Sequence, residues 1–266
     1  MIIIGEKINS TLKAIRPAME SRDHSTIQEL AIRQRDAGAA YIDVNAGMFH
    51  NNEPEVLEWL IHTIQEVCDT PFSIDSPSAN GILSGLKANR NSKPIINSIT
   101  GEKDRFNTIL PLVAEYKTGV VALCMDDRGM PETVHERFEV AETLIKNLTR
   151  EGIPLDDIYI DPLVRPIGTG SHYGMLAIET IRNVKNAYPE VHIACGLSNV
   201  SFGIPARKIM NQTFLVAAMA AGMDGAILDP LDKKLMAYLY ATEALLGRDE
   251  YCLNYLDKFR QGELEF

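Results

Sequence analysis

Tyr41-Ile42-Asp43-Val44-Asn45, then a longer segment at 54–68, then Pro71-Phe72-Ser73-Ile74-Asp75: a short apolar run ending in an acid or amide recurs once a helix has intervened. In 54–68, Val56, Leu57, Leu60, Ile61 and Ile64 return at three- and four-residue steps, which puts them on one helix face. The flanking runs are short, rich in β-branched residues and nearly continuous in apolar character, as strands buried on both faces are. The repeating unit is therefore strand, helix, strand.

Reading outward, that unit fills the chain. Strands are predicted at 2–5, 41–45, 71–75, 94–97, 120–125, 158–161, 192–197 and 225–229. Helical periodicity marks 25–36, 54–68, 104–115, 131–150, 174–187, 206–221 and 232–246, with a last helix near 250–259. Eight strands alternating with helices in 266 residues predict an α/β fold, a (β/α)8 TIM barrel forming one domain over 1–266. An open doubly wound sheet is the alternative, but eight strands in so short a chain favour closure. The segment 165–174, Arg-Pro-Ile-Gly-Thr-Gly-Ser-His-Tyr-Gly, is the most loop-like and follows the sixth strand.

Composition narrows the function classes. A net charge of −10 without a Lys/Arg run disfavours nucleic acid and anionic membranes, whose phosphates would be repelled. The apolar runs fall short of the ~18 residues of a membrane span, and Met1-Ile2-Ile3-Ile4-Gly5-Glu6 has no basic region, so a cytoplasmic protein is expected. Cys68, Cys124, Cys195 and Cys252 lie far apart and are expected to be buried, reduced thiols, and the six histidines are equally scattered; no metal is expected.

A parallel barrel carries its active site at the C-terminal ends of its strands. Here those ends read Glu6, Asp43-Val44-Asn45, Asp75, Asn97-Ser98, Met125-Asp126, Asp161, Gly196-Leu197-Ser198-Asn199 and Asp229. Asp43 and Asn45 share a face, being two residues apart on a strand. One such residue alone fits a helix cap or Asx-turn equally well. Asp43, Asp75, Asn97, Asp161 and Asn199 together make a mouth rich in acceptors and amides, suited to a neutral planar ligand with several N–H donors. Glu6 and Asp229 are read as scaffold first, with contact to the ligand as the second reading. The strand ends offer neither a Schiff-base lysine nor paired histidines for a metal hydrolase.

Ile4-Gly5-Glu6-Lys7-Ile8-Asn9, Asp43-Val44-Asn45, Ile74-Asp75-Ser76, Ile96-Asn97-Ser98, Asp161-Pro162-Leu163 and Gly196-Leu197-Ser198-Asn199-Val200-Ser201 occur in that order. The series resembles the pterin-binding methyltransferases: the methyltetrahydrofolate:corrinoid protein methyltransferases and the folate module of cobalamin-dependent methionine synthase. The likeness covers essentially the whole chain. Dihydropteroate synthase is the neighbouring alternative, expected to carry Ser-Arg-Lys after the seventh strand, where this chain reads Ser198-Asn199-Val200. A folate-binding subunit without chemistry is the third reading.

The resemblance implies roles residue by residue. Asp161 would hold the 2-amino and ring N–H edge of a pterin, Asn97 the neighbouring nitrogens, and Asp75 the N–H on the far side. Gly196 would leave room for the ring, Ser198 would shape that wall, Arg207 would meet the polar edge or tail, and Asp43 and Asn45 would line the floor. Asn199 would hydrogen-bond N5 as the methyl group leaves, with Asp75 and Asp161 in the water network that brings the proton. The substrates implied are methyltetrahydrofolate or tetrahydrofolate and a cobalamin-type corrinoid on a separate corrinoid protein, since the Asp-x-His-x-x-Gly segment of carriers is absent from this sequence. The resemblance implies a homodimer as well; Leu235, Tyr238, Leu239 and Tyr240 fit a contribution to it and packing on the barrel equally.

Overall fold

Ile2–Asn9 (β1), Tyr41–Asn45 (β2), Phe72–Asp75 (β3), Ile95–Gly101 (β4), Gly119–Asp126 (β5), Ile158–Asp161 (β6), His192–Gly196 (β7) and Gly225–Leu228 (β8) are strands in the computed structural model, which describes residues 1–264. Each pairs in parallel with the next, and β1 pairs with β8, so the sheet closes into a barrel in sequence order. The helices are Arg16–Glu20 (α1), His24–Asp36 (α2), Glu53–Gln65 (α3), Ala79–Ala88 (α4), Lys103–Tyr116 (α5), Val134–Arg150 (α6), Tyr173–Ala187 (α7), Arg207–Ala221 (α8), Lys233–Leu245 (α9) and Leu253–Arg260 (α10). The closed (β/α)8 barrel expected from the sequence is the fold observed.

Local chemistry starts several of these helices. Asp23 and Asp232 accept the backbone N–H of Thr26 and Leu235 at the heads of α2 and α9, and Thr133 with Glu136 forms a reciprocal capping box on α6. Helix α4 escapes the periodicity reading because its sequence, Ala-Asn-Gly-Ile-Leu-Ser-Gly-Leu-Lys-Ala, carries two glycines that weaken a helix. Packing requires them. A Cβ on Gly85 would lie 2.9 Å from Ile74 Cγ2, and one on Gly81 would lie 2.3 Å from Ser76 Oγ. Strands β1 and β4 also run past the predicted ends at Gly5 and Asn97, each through an irregular step in its pairing.

The barrel interior has two storeys. Ile4, Ile95, Val121, Tyr159 and Ala194 fill its lower part, with Ile2, Tyr41, Leu123 and Ile227 packed against them. Two residues further along several of these strands, the same inward face becomes polar: Glu6, Asp43 then Asn45, Asn97, Asp161, Asp229. An apolar plug thus supports a polar floor. A larger core lies between strands and helices, where Leu57, Leu60, Ile61 and Ile64 of α3 are fully buried.

One expectation needs correction. Cys68, Cys124 and Cys195 are buried, but Cys252 is exposed, because it lies in the short turn after α9 and outside the barrel core. On α9, Leu235, Leu239 and Tyr240 follow the barrel-packing reading and are buried, while Tyr238 is exposed. Among the described residues, no helix is long and apolar enough to cross a membrane.

Candidate active site

Strand register sets the floor. Asn9 lies opposite Asn45, Asn45 opposite Asp75, and Asp75 opposite Asn97, so one polar row crosses β1 to β4. Asn45 Nδ2 donates to Asp75 Oδ2 at 2.7 Å, while Asn45 Oδ1 accepts from Ser10 Oγ and the Gly47 N–H. Asp43 sits one layer down at 1% exposure, accepting from Ser73 Oγ at 2.7 Å and Asn97 Nδ2 at 3.3 Å. It therefore acts through Asn97, fixing which way that amide faces.

Asp161, at the end of β6, accepts the backbone N–H of Leu163 at 2.8 Å and of Gly196 on β7. Two arginines hold the backbones around these carboxylates. Arg137, fully buried on α6, donates to the carbonyls of Pro131, Pro162 and Leu163 at 3.1, 2.6 and 2.8 Å. That clamp fixes the turn after Asp161, where Leu163 takes a left-handed backbone with φ +61°. Arg105 on α5 similarly gathers the carbonyls of Ser76, Pro77 and Ser98, and its charge lies near Asp75. Sequence reading misses both. Each is one basic residue in a helix, and nothing in its spacing tells that it folds back over a strand end.

Gly196, Ser198 and Asn199 come together after β7, where Leu197–Ser201 forms a turn of 3-10 helix. Asn199 is exposed, and its amide makes no hydrogen bond among the described residues. A Cβ on Gly196 would stand 3.0 Å from Asn199 Nδ2. Gly196→Ala is expected to push that amide by a few tenths of an ångström, lowering turnover about 10-fold with little change in melting temperature. Steady-state kinetics beside thermal unfolding checks this. Arg207 reaches the same loop: its Nε donates to Ser201 Oγ at 3.0 Å and its Nη2 to the Ser198 carbonyl at 2.7 Å. Two of its three nitrogens brace the loop, and the residue also lines the cavity at the mouth.

That cavity, about 220 Å³, is lined by Glu6, Leu197, Ser198, Arg207, Asn211 and Asp229, among others. Asp229 accepts an ion pair from Lys7 Nζ at 2.9 Å, as scaffold would. Glu6 fits the second of its two readings, contact with a ligand: its carboxylate has no hydrogen bond among the described residues, and burial, with Asp229 nearby, pushes it up to about 7. Burial likewise lifts Asp75 and Asp161 to about 6 and Asp43 well above the usual carboxylate range. The charges of Arg105 near Asp75 and Arg137 near Asp161 only partly offset this burial, and four carboxyls without an ion pair to either arginine favour a ligand that brings N–H donors. No group of His, Cys, Asp and Glu among the described residues could hold a metal ion.

Comparison with known proteins agrees with this architecture. The chain is 38% identical over 266 residues to the methylcorrinoid:tetrahydrofolate methyltransferase of Eubacterium limosum, covering 99% of this chain and 98% of that one. It is 33% identical over 240 residues to methionine synthase of Mycobacterium leprae, spanning 85% of this chain but only 20% of that much longer protein. Dihydropteroate synthase of Xanthomonas albilineans superposes with a TM-score of 0.69 over 94% of this chain and 93% of that one, at 15% identity, a likeness of fold alone. The family described as pterin binding enzyme matches residues 5–229, from Gly5 in β1, next to Glu6, to Asp229 beyond β8. A barrel whose matched span runs from one side of the mouth cavity around to the other belongs to that pterin-binding family.

Proposed function

We propose that the protein is a methyltransferase moving a methyl group between N5 of methyltetrahydrofolate and a corrinoid carried by a separate protein. The observation that carries the reading is the polar floor of Asp75, Asn97 and Asp161 with a free amide, Asn199, beside its glycine wall. Asp161 accepts from the amino and ring N–H edge of the pterin. Asn97, oriented by Asp43, meets the adjoining nitrogens, and Asp75 takes the N–H beyond. Full-length likeness to the Eubacterium limosum enzyme supports methyl transfer over synthase chemistry, as does Asn199-Val200 in place of the synthase's basic pair.

When methyl leaves N5, the electron pair of the N–C bond stays on nitrogen. Without a proton or strong hydrogen bond there, the leaving group is an amide-like anion. The amide of Asn199 cannot titrate, but it can turn to strengthen its bond to N5 as charge develops, which lowers the barrier rather than tightening the ground state. Burial raises Glu6 to about 7, so near neutrality it shares its proton with solvent, and Asp75 and Asp161, raised to about 6 and mostly ionised there, complete the network that relays a proton toward N5. The partner's corrinoid supplies the cobalt that takes or gives the methyl group. Five exposed apolar side chains, Met48, Met130, Met175, Phe202 and Ile209, stand on loops and first helical turns that follow strands, a rim fitted to a protein docking over the mouth.

The test mixes the protein anaerobically with methyltetrahydrofolate and cob(I)alamin and follows the corrinoid spectrum. Protein-dependent methylcobalamin formation is the expected result; absence of folate binding would sink the reading. We also infer a cytoplasmic homodimer. Tyr238, Leu245, Leu253, Leu256 and Phe259 are exposed on α9 and α10, and such apolar surface suits a second copy. Sedimentation at the mass of two chains, falling to one in Leu245→Asp/Leu253→Asp, checks that inference.

A further inference from the structure

The polar floor is one-sided. Asp75, Asn97 and Asp161 belong to β3, β4 and β6, while the mouth cavity opens across the barrel at β1, β8 and the turn after β7. A pterin gripped by its polar edge therefore points the opposite edge, which bears its substituent, at Glu6, Ser198 and Arg207. Next to that cavity lies a second of about 370 Å³, between the turn after β1 and helix α2. The two adjoin: Leu12 lines both, and Lys7 of the second is paired with Asp229 of the first at 2.9 Å.

The charge of the second cavity runs against that of the protein. In a chain of net charge −10, its charged lining is Lys7, Lys13 and Arg33 against Glu29 alone. Lys13 has no ion pair or hydrogen bond among the described residues, and Arg33 stands 3.8 Å from Glu29 with both side chains mostly exposed. Leu12, Ala14 and Leu30 supply apolar wall between the cations. Spaced cations over an apolar wall match a flexible chain of methylenes with a carboxylate on each unit.

We propose that this cleft binds the γ-linked oligoglutamate tail of the folate substrate, so that the protein prefers tetrahydrofolates with several glutamates to those with one; the proposal rests on the folate reading above. Pterin and ring system stay in the barrel, the first glutamate passes Arg207, and the following carboxylates meet Lys13 and Arg33. Exposed pairs contribute little singly, so the preference is additive and sensitive to salt.

Anaerobic binding of tetrahydrofolate monoglutamate and triglutamate to the full chain tests it. At low salt the triglutamate is expected to bind about 10-fold tighter, from roughly two added pairs. The ratio should collapse to within about two-fold in Lys13→Ser/Arg33→Gln, substitutions at exposed positions, and in about 0.5 M salt. Equal affinities in the parent protein, or a ratio that survives the double substitution, would overturn the proposal while leaving folate binding in place. Binding of neither form would overturn the folate reading and this proposal with it.

Discussion

Replacing Asn199 by alanine lowers turnover by about 10²–10³, the loss seen when a single donor to a developing charge is removed. Methyltetrahydrofolate affinity, by contrast, moves only a few-fold. The split follows from where the side chain stands. Its amide makes no hydrogen bond among the described residues and lies beside Gly196, so it shapes neither the floor nor the fold, and its removal leaves in place the pterin contacts proposed for Asp161 and Asn97. What disappears is a bond that tightens only as N5 gathers electron density. Single-turnover kinetics against binding affinity reads the two effects separately. Equal losses in both would make Asn199 an ordinary binding residue. Unchanged turnover would remove it from the chemistry, and with it the feature that separates a transferase from a folate-binding subunit.

The contrast between Asn199 and Arg137 shows how far the sequence can be read. Strand ends are legible because period two carries an inward apolar residue to an inward polar one, and the Gly-Leu-Ser-Asn run marks its own turn. Barrel closure follows from counting. The clamps are a different matter. Arg137 and Arg105 act on carbonyls brought near by tertiary packing, at sequence separations that no local pattern encodes. Helix α4 is hidden for a related reason, since its glycines are demanded by the close approach of Ile74 and Ser76 rather than by helix formation. The choice between scaffold and ligand contact for Glu6 and Asp229 is likewise not legible locally. Its neighbour Lys7 takes the structural role toward Asp229, and Glu6 is left facing the cavity.

Fold and chemistry part company in the turn after β7. Superposition on a dihydropteroate synthase covers more than nine-tenths of the chain at 15% identity, so the barrel fold is shared. Basic residues after the seventh strand are expected in that enzyme to serve an anionic leaving group. Here Ser198 gives its carbonyl to Arg207, and Asn199 stays neutral and unpaired. A neutral amide suits a reaction in which the charge to be met arises on the ring nitrogen itself, so the same fold leaves the chemistry to be set by such a turn.

Asp161→Asn is expected to weaken folate binding by about 10²–10³ while making the ligand-free protein more stable, two effects of opposite sign from one substitution. The carboxylate offers acceptors to a pterin edge made of donors; asparagine turns an NH₂ group toward one of them, so a hydrogen bond becomes a repulsion. Without ligand, the charge is a burden. Burial raises the folded-state pKa from 3.8 to about 6, so the native state holds its proton more tightly than the unfolded chain does. Stability therefore falls as pH rises from about 4 through about 6, and the full cost remains at pH 8. A two-unit shift corresponds to about 3 kcal/mol, from which the weaker hydrogen bonds of asparagine to the Leu163 and Gly196 N–H groups subtract. At pH 8 the variant should be more stable by about 1–2 kcal/mol, or roughly 5 °C in melting temperature, and the advantage should vanish near pH 4. Denaturant unfolding across pH, beside folate titration, measures both. A variant that lost binding and stability together would show Asp161 to be a structural cap on the β6 turn. Gain of stability with loss of binding would show that the fold tolerates this buried charge for the sake of the ligand that neutralises it.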